Sequence, residues 1–182
     1  MLTLSFPKEM IQLAGQIGPN LTAEKVLLKK VQLDNDLIPG KLPSGGEWKL
    51  IHLQGDFEKE LTTHGIVYFG CEVHYLAEVK PGERIPVVRL HVVLQAVYRL
   101  PDGPVPDEVR ERGFPTFARV NGPYFLMPFM RQQIHALTSE LPVQPLMLPL
   151  LQIVPMSTDD QAGKVAAPAK PKAPRKKPAP KA

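Results

Sequence analysis

The sequence predicts an α+β domain: a four-stranded antiparallel meander followed by a long helix, ending in a disordered basic tail. Three observations carry this. Four strand-patterned stretches follow one another with no crossover helix between them, which argues against a parallel sheet. After those strands, beyond Asp107, the apolar period turns helical. Composition then changes near residue 157, dividing the chain into a folded domain, 1–156, and a Pro/Ala/Lys-rich tail, 157–182. At 182 residues and 43% apolar, the chain supports one ordinary core and is too short for a second full domain.

The first segment, residues 2–20, reads ambiguously. Pro7 in a first-turn position, followed by Met10, Ile11, Leu13, Ala14 and Ile17, allows a short helix that Gly18-Pro19 would stop. Strand character begins near Glu24 and runs to Asp34-Asn35-Asp36, followed by a turn-rich stretch through Pro39-Gly40 and Pro43-Ser44-Gly45-Gly46. Residues 48–57 form the second candidate strand. In the third, 64–79, Val67, Phe69, Cys71, Val73, Tyr75 and Ala77 fall at period two, with Glu72 and His74 opposite. Lys80-Pro81-Gly82-Glu83 turns the chain into the fourth, 86–100. There Val88, Leu90, Val92, Leu94, Ala96 and Tyr98 share one face, and Arg89, His91, Gln95 and Arg99 the other.

Beyond Pro101-Asp102-Gly103-Pro104, residues 107–112 allow about one helical turn. Leu126, Met130, Ile134, Leu137 and Leu141 then recur every three or four positions, the stripe of an amphipathic helix. Pro128 is expected in its first turn, since an interior proline loses a hydrogen bond and clashes with the preceding turn. Pro142 ends it. Residues 145–153 hold too many prolines for a helix and too much apolar surface for an ordinary exposed loop.

The formal charge of +4 is unevenly placed. Residues 161–182 carry seven basic side chains and no acid, so residues 1–160 hold 15 Lys and Arg against 18 Asp and Glu, a net of −3. The tail lacks aromatics and cannot bury enough apolar surface to offset the chain entropy of folding. It reads either as a solubilising segment or as a polyelectrolyte arm for anionic surfaces, the latter non-specific and salt-sensitive.

Several chemistries are excluded by what is missing. The five histidines show no H-E-x-x-H spacing, and a lone cysteine makes neither an internal disulfide nor a multi-cysteine zinc site, so no metal or other cofactor is expected. Asp34-Asn35-Asp36 starts like a calcium loop, but Ile38 and Pro39 occupy positions that need an oxygen ligand and glycine. Neither a phosphate-binding glycine loop nor a nucleophile elbow is present. Cys71 sits on the apolar side of its strand, as a structural thiol would. The expectation is a binding protein rather than an enzyme. The first residues lack a basic leader and no apolar run reaches bilayer length, which fits a cytoplasmic protein.

An apolar surplus remains. Tyr124, Phe125, Leu126, Met127, Phe129 and Met130 put large groups on most sides of one helix, and Leu146 to Ile153 adds a second cluster. A helix on one sheet needs a single stripe, so the surplus meets a second packed layer, another subunit, or a polypeptide bound in a groove.

The run Asn121-Gly122-Pro123-Tyr124-Phe125-Leu126-Met127-Pro128-Phe129-Met130-Arg131-Gln132-Gln133-Ile134, followed by Leu146-Met147-Leu148-Pro149-Leu150-Leu151-Gln152-Ile153, resembles the SecB family of export chaperones. Those chains carry a similar aromatic-Pro-aromatic-x-Arg-x-x-Ile helix start and a leucine- and proline-rich stretch after it. Tyr98-Arg99-Leu100 at the end of the fourth strand is also similar, as is the placement of Asp34-Asn35-Asp36-Leu37-Ile38-Pro39. The resemblance spans about residues 24–154. It implies an oligomer, a dimer of dimers with helices between the halves, that holds unfolded or precursor polypeptides in apolar grooves without ATP. It implies that Leu37, Ile38, Leu42, Leu146, Leu148 and Leu151 line or flank the groove, and that Tyr124, Phe129 and Met130 make the oligomer interface. Two departures bear on partners. Pro155 and Ser157-Thr158-Asp159-Asp160 arrive where SecB chains have a second helix, and Arg89, His91 and Arg99 stand where SecB docks the SecA motor through acidic residues. Client holding carries over better than motor docking, and a SecB-like chaperone dedicated to one client, such as an antitoxin, is the alternative within the family. Outside it, the alternative is an oligomeric adaptor whose apolar surplus is all interface.

Overall fold

The computed structural model describes residues 1–38, 43, 45–59, 64–100, 107 and 109–156. Strand β1 (Leu2–Phe6) leads into helix α1 (Lys8–Ile17) and a short 3₁₀ turn (Gly18–Asn20). Four long strands follow: β2 (Thr22–Asn35), β3 (Gly46–Lys59), β4 (His64–Lys80) and β5 (Glu83–Arg99). A π-helical turn (Val109–Gly113) runs directly into helix α2 (Phe114–Ser139), and β6 (Leu151–Pro155) closes the described chain.

The expected antiparallel sheet is present, in the order β2-β5-β4-β3. The meander proper is β3–β4–β5. Strand β2 lies outside β5, so the first and fourth strands are neighbours, as in a Greek key. The period-two reading holds along both central strands: Val67, Phe69, Cys71 and Val73 of β4, and Val88, Leu90, Val92 and Leu94 of β5, are all buried. Gly82, at φ 80°, makes the tight β4–β5 turn, a backbone state that suits glycine.

Helix α2 packs mainly across β3, β4 and β5 on that apolar face. It is longer than the sequence suggests. Pro128 does not sit in its first turn: Pro115 does, and both Pro123 and Pro128 lie inside the helix. Each interior proline costs about 3 kcal/mol in an isolated helix. Burial of Phe114, Phe117, Leu126, Met130 and Ile134, at about 1.5–3 kcal/mol per side chain, outweighs that. Close approach helps too, since a Cβ at Gly55 of β3 would overlap the Ala118 carbonyl oxygen and one at Gly122 would come within 2.9 Å of Val67.

The helix allowed after Pro7 is α1, with Pro7 as its N-cap. The strand before it was hidden. Leu2–Phe6 pairs in parallel with Leu151–Pro155, register Leu2 to Leu151 through Phe6 to Pro155. Residues 145–150 are irregular, as their prolines dictate, and the chain becomes strand only where β1 supplies a partner. No second helix follows among the described residues. No helix in them is long and apolar enough to cross a membrane.

Candidate functional site: an apolar cleft beside helix α2

Three parts of the chain far apart in sequence meet at one edge of α2. The segment between α2 and β6 lacks regular structure yet is held at fixed points. The Trp48 indole N–H donates to the Gln144 carbonyl at 2.7 Å. The Leu146 N–H donates to Thr138 Oγ1 at 2.9 Å, and that buried hydroxyl donates in turn to the Ile134 carbonyl at 2.8 Å. Leu148 plugs into the core at 2% exposure. At the far end the Leu2 N–H donates to the Leu150 carbonyl at 2.8 Å, which brings Met1 alongside. Leu146 and Leu148 turn inward and Met147 projects outward, 52% exposed; alternation breaks at Pro149, and Leu150 also projects outward, 61% exposed.

Opposite them, α2 presents Tyr124 and Phe125, 61% and 53% exposed and in edge-to-face contact at 6.1 Å between ring centres. Pro128 follows one turn later and Arg131 one turn after that, so all share a helix side. Pro128 has no N–H, which leaves the Tyr124 carbonyl without its usual donor four residues on. Together these residues, with Met127 and Leu151 at the base, enclose a cleft of about 640 Å³. Its wall is largely methionine, leucine and aromatic, groups that adapt to varied apolar side chains.

Of the groove residues anticipated from sequence, Leu151 lines this cleft, Leu146 is half-buried against the core, and Leu148 supports the segment from within. Leu37 packs beside Tyr75 and Val88 on another part of the domain, and Ile38, 60% exposed, adjoins it in sequence. Leu42 lies outside the described residues. Of the three anticipated interface residues, Tyr124 faces the cleft and Phe129 is 47% exposed, whereas Met130 is fully buried in the core of the single chain. Met130 sits three and four positions from Met127 and Ile134, on the sheet side of α2, and has no surface to offer a partner. Sequence reasoning missed Met1, Met147, Leu150 and Arg131. Period two counted outward from a buried Leu148 exposes Met147 but would bury Leu150, which only its place in the apolar run 146–153 marks; nothing in the sequence signals Met1.

A second apolar surface lies on β2. Leu28, Val31 and Leu33 pair with buried Leu94, Val92 and Leu90, so they share the core face of the sheet, yet they are 48%, 39% and 39% exposed. Strand β2 is also an edge, with its outer side unpaired in the sheet.

Reactive chemistry is muted. Cys71 is buried, and desolvation, with the Glu72 charge beside it, pushes its thiol up to about 12, far from a nucleophile's range. Among the described residues no three His, Cys, Asp or Glu side chains converge on a metal position. The outer face of the sheet carries His74 hydrogen-bonded to Glu72 at 2.7 Å and Arg89 3.9 Å from Asp36.

An antiparallel sheet in Greek-key order, one long helix across it and an apolar cleft beside the helix define a SecB-like fold. No family model matches the chain, and no curated protein matches it in sequence. Among solved structures it is similar to the SecB-like chaperone Rv1957 of Mycobacterium tuberculosis, solved in complex with a ChAD peptide from the Rv1956 HigA1 antitoxin. The TM-score is 0.64 at 16% identity, over 79% of this chain and 99% of that one. A protein of unknown function from Streptococcus agalactiae aligns more loosely, with TM-score 0.35 at 8% identity over 71% of this chain and 97% of that one.

Proposed function

We propose that the protein is an ATP-independent holding chaperone that binds extended apolar segments of unfolded or precursor polypeptides in the cleft beside α2. The observation that carries this is the contiguous display of Tyr124, Phe125, Met147 and Leu150, each more than half exposed around one concavity. A folded protein leaves such a patch open where something binds it. The similar Rv1957 fold was solved with an antitoxin peptide, which supports a polypeptide as the ligand class. The same observation favours a second reading, a chaperone dedicated to one client.

In this reading the protein works in the cytoplasm as a dimer or tetramer. The unpaired edge of β2, its uncovered Leu28, Val31 and Leu33, and exposed Phe129 are the surfaces a second copy would cover. Release follows from the client folding or from handover to a partner, a SecA-type export motor being one candidate. The role is binding, not catalysis.

The test mixes the full chain, without nucleotide, with a chemically denatured client as it is diluted. Stoichiometric protein should stop aggregation and yield a discrete complex by light scattering. A well-folded protein that leaves aggregation unchanged removes the general chaperone, and binding to a single client then decides between a dedicated chaperone and an adaptor.

A further inference from the structure

Among the described residues that line the cleft, one carries a charged side chain. Arg131 stands two helical turns beyond Tyr124 on its rim, half-buried. Among the described residues the ion pairs lie elsewhere, joining His64 to Glu24, His74 to Glu72, Lys80 to Glu83, Arg84 to Glu47 and Arg89 to Asp36. Arg131 has neither an ion pair nor a side-chain hydrogen bond among them. Among the described residues no carboxylate lines the cleft. A guanidinium carries five N–H donors in a planar fork shaped for a carboxylate, and beside apolar walls its field is less screened than in open water.

From this charge complementarity, and resting on the chaperone reading above, we infer that the cleft selects apolar segments carrying an Asp or Glu side chain. The carboxylate docks on Arg131 while neighbouring large side chains fill the space between Tyr124, Phe125, Met147 and Leu150. A lysine or arginine at the same point of the client places like charges together and is disfavoured. Promiscuity then comes from the adaptable walls and selectivity from the Arg131 guanidinium.

The experiment uses the full chain and labelled twelve-residue peptides of Leu, Phe, Ser and Thr with one central Glu, Gln or Lys, read by fluorescence anisotropy. The Glu peptide should bind about fivefold more tightly than the Gln peptide, a charge-assisted contact discounted for partial exposure, and the Lys peptide more weakly than either. Raising the salt should narrow the gap. In Arg131→Gln the Glu and Gln peptides should bind alike, at the affinity the wild type shows for Gln. Equal binding of Glu and Gln peptides by the wild type, a comparison that needs no variant, overturns the inference and leaves the chaperone reading standing. So does a preference that survives Arg131→Gln. Failure of all three peptides to bind overturns both.

Discussion

A Cβ on Gly55 would overlap the Ala118 carbonyl oxygen, so α2 reaches β3 at backbone distance only because the strand carries no side chain there. Gly55→Val should therefore lift the helix and destabilise the fold by about 2–3 kcal/mol, read as a lowered urea midpoint. Cys71 makes a different prediction. Its thiol ionises only near 12 in the folded state, against 9.0 ordinarily, so the unfolded chain loses that proton first. The contribution is complete below pH 9.0 and is lost as pH rises toward about 12, so stability should fall more steeply over that range in the wild type than in Cys71→Ala. A thiol reagent at neutral pH should label the protein only after denaturation.

At the scale of elements, what the sequence announces and what it hides differ by physical cause. The two central strands, β4 and β5, were the most legible because one face is buried, and burial writes period two into residues such as Val67, Phe69, Cys71 and Val73. The start of α2 was not. Local propensity forbids two interior prolines, and only tertiary burial of Phe114, Phe117 and Leu126 makes the longer helix worthwhile. Strands β1 and β6 were hidden for another reason, being five residues each and stable only as partners across the whole length of the chain. The candidate site is legible in part: Leu151 reads as a groove residue, Tyr124 reads as interface but lines the cleft, and Met130, which reads as interface, is buried with Leu126 and Ile134, the stripe its spacing already marks. Two predictions belong here. Pro128→Ala restores a donor to the Tyr124 carbonyl and should raise stability by about 1–3 kcal/mol, read as a higher urea midpoint. Deleting residues 1–6 removes the partner of β6 and the Leu150 anchor. It should increase hydrogen exchange across 147–155 while leaving β4 and β5 protected.

For the molecule as a whole, the cleft is a composite. Its walls come from the chain's first residue, the middle of α2 and residues 147–151, and each reaches its place through a different device: parallel strand pairing, sheet packing and a buried leucine. Such a surface exists only in the folded domain, which separates it from the greasy stretches an unfolded chain exposes. The fold alone does not say whether that surface holds a client, because the uncovered face of β2 offers a second apolar region. The most direct discrimination is a photo-reactive amino acid in place of Met147 at the cleft, with His52 on the opposite face of the sheet as control, in the full chain bound to a denatured client. The account predicts that Met147 crosslinks to client and His52 does not. Crosslinking from neither position while a stable complex persists, or equal crosslinking from both, would contradict it.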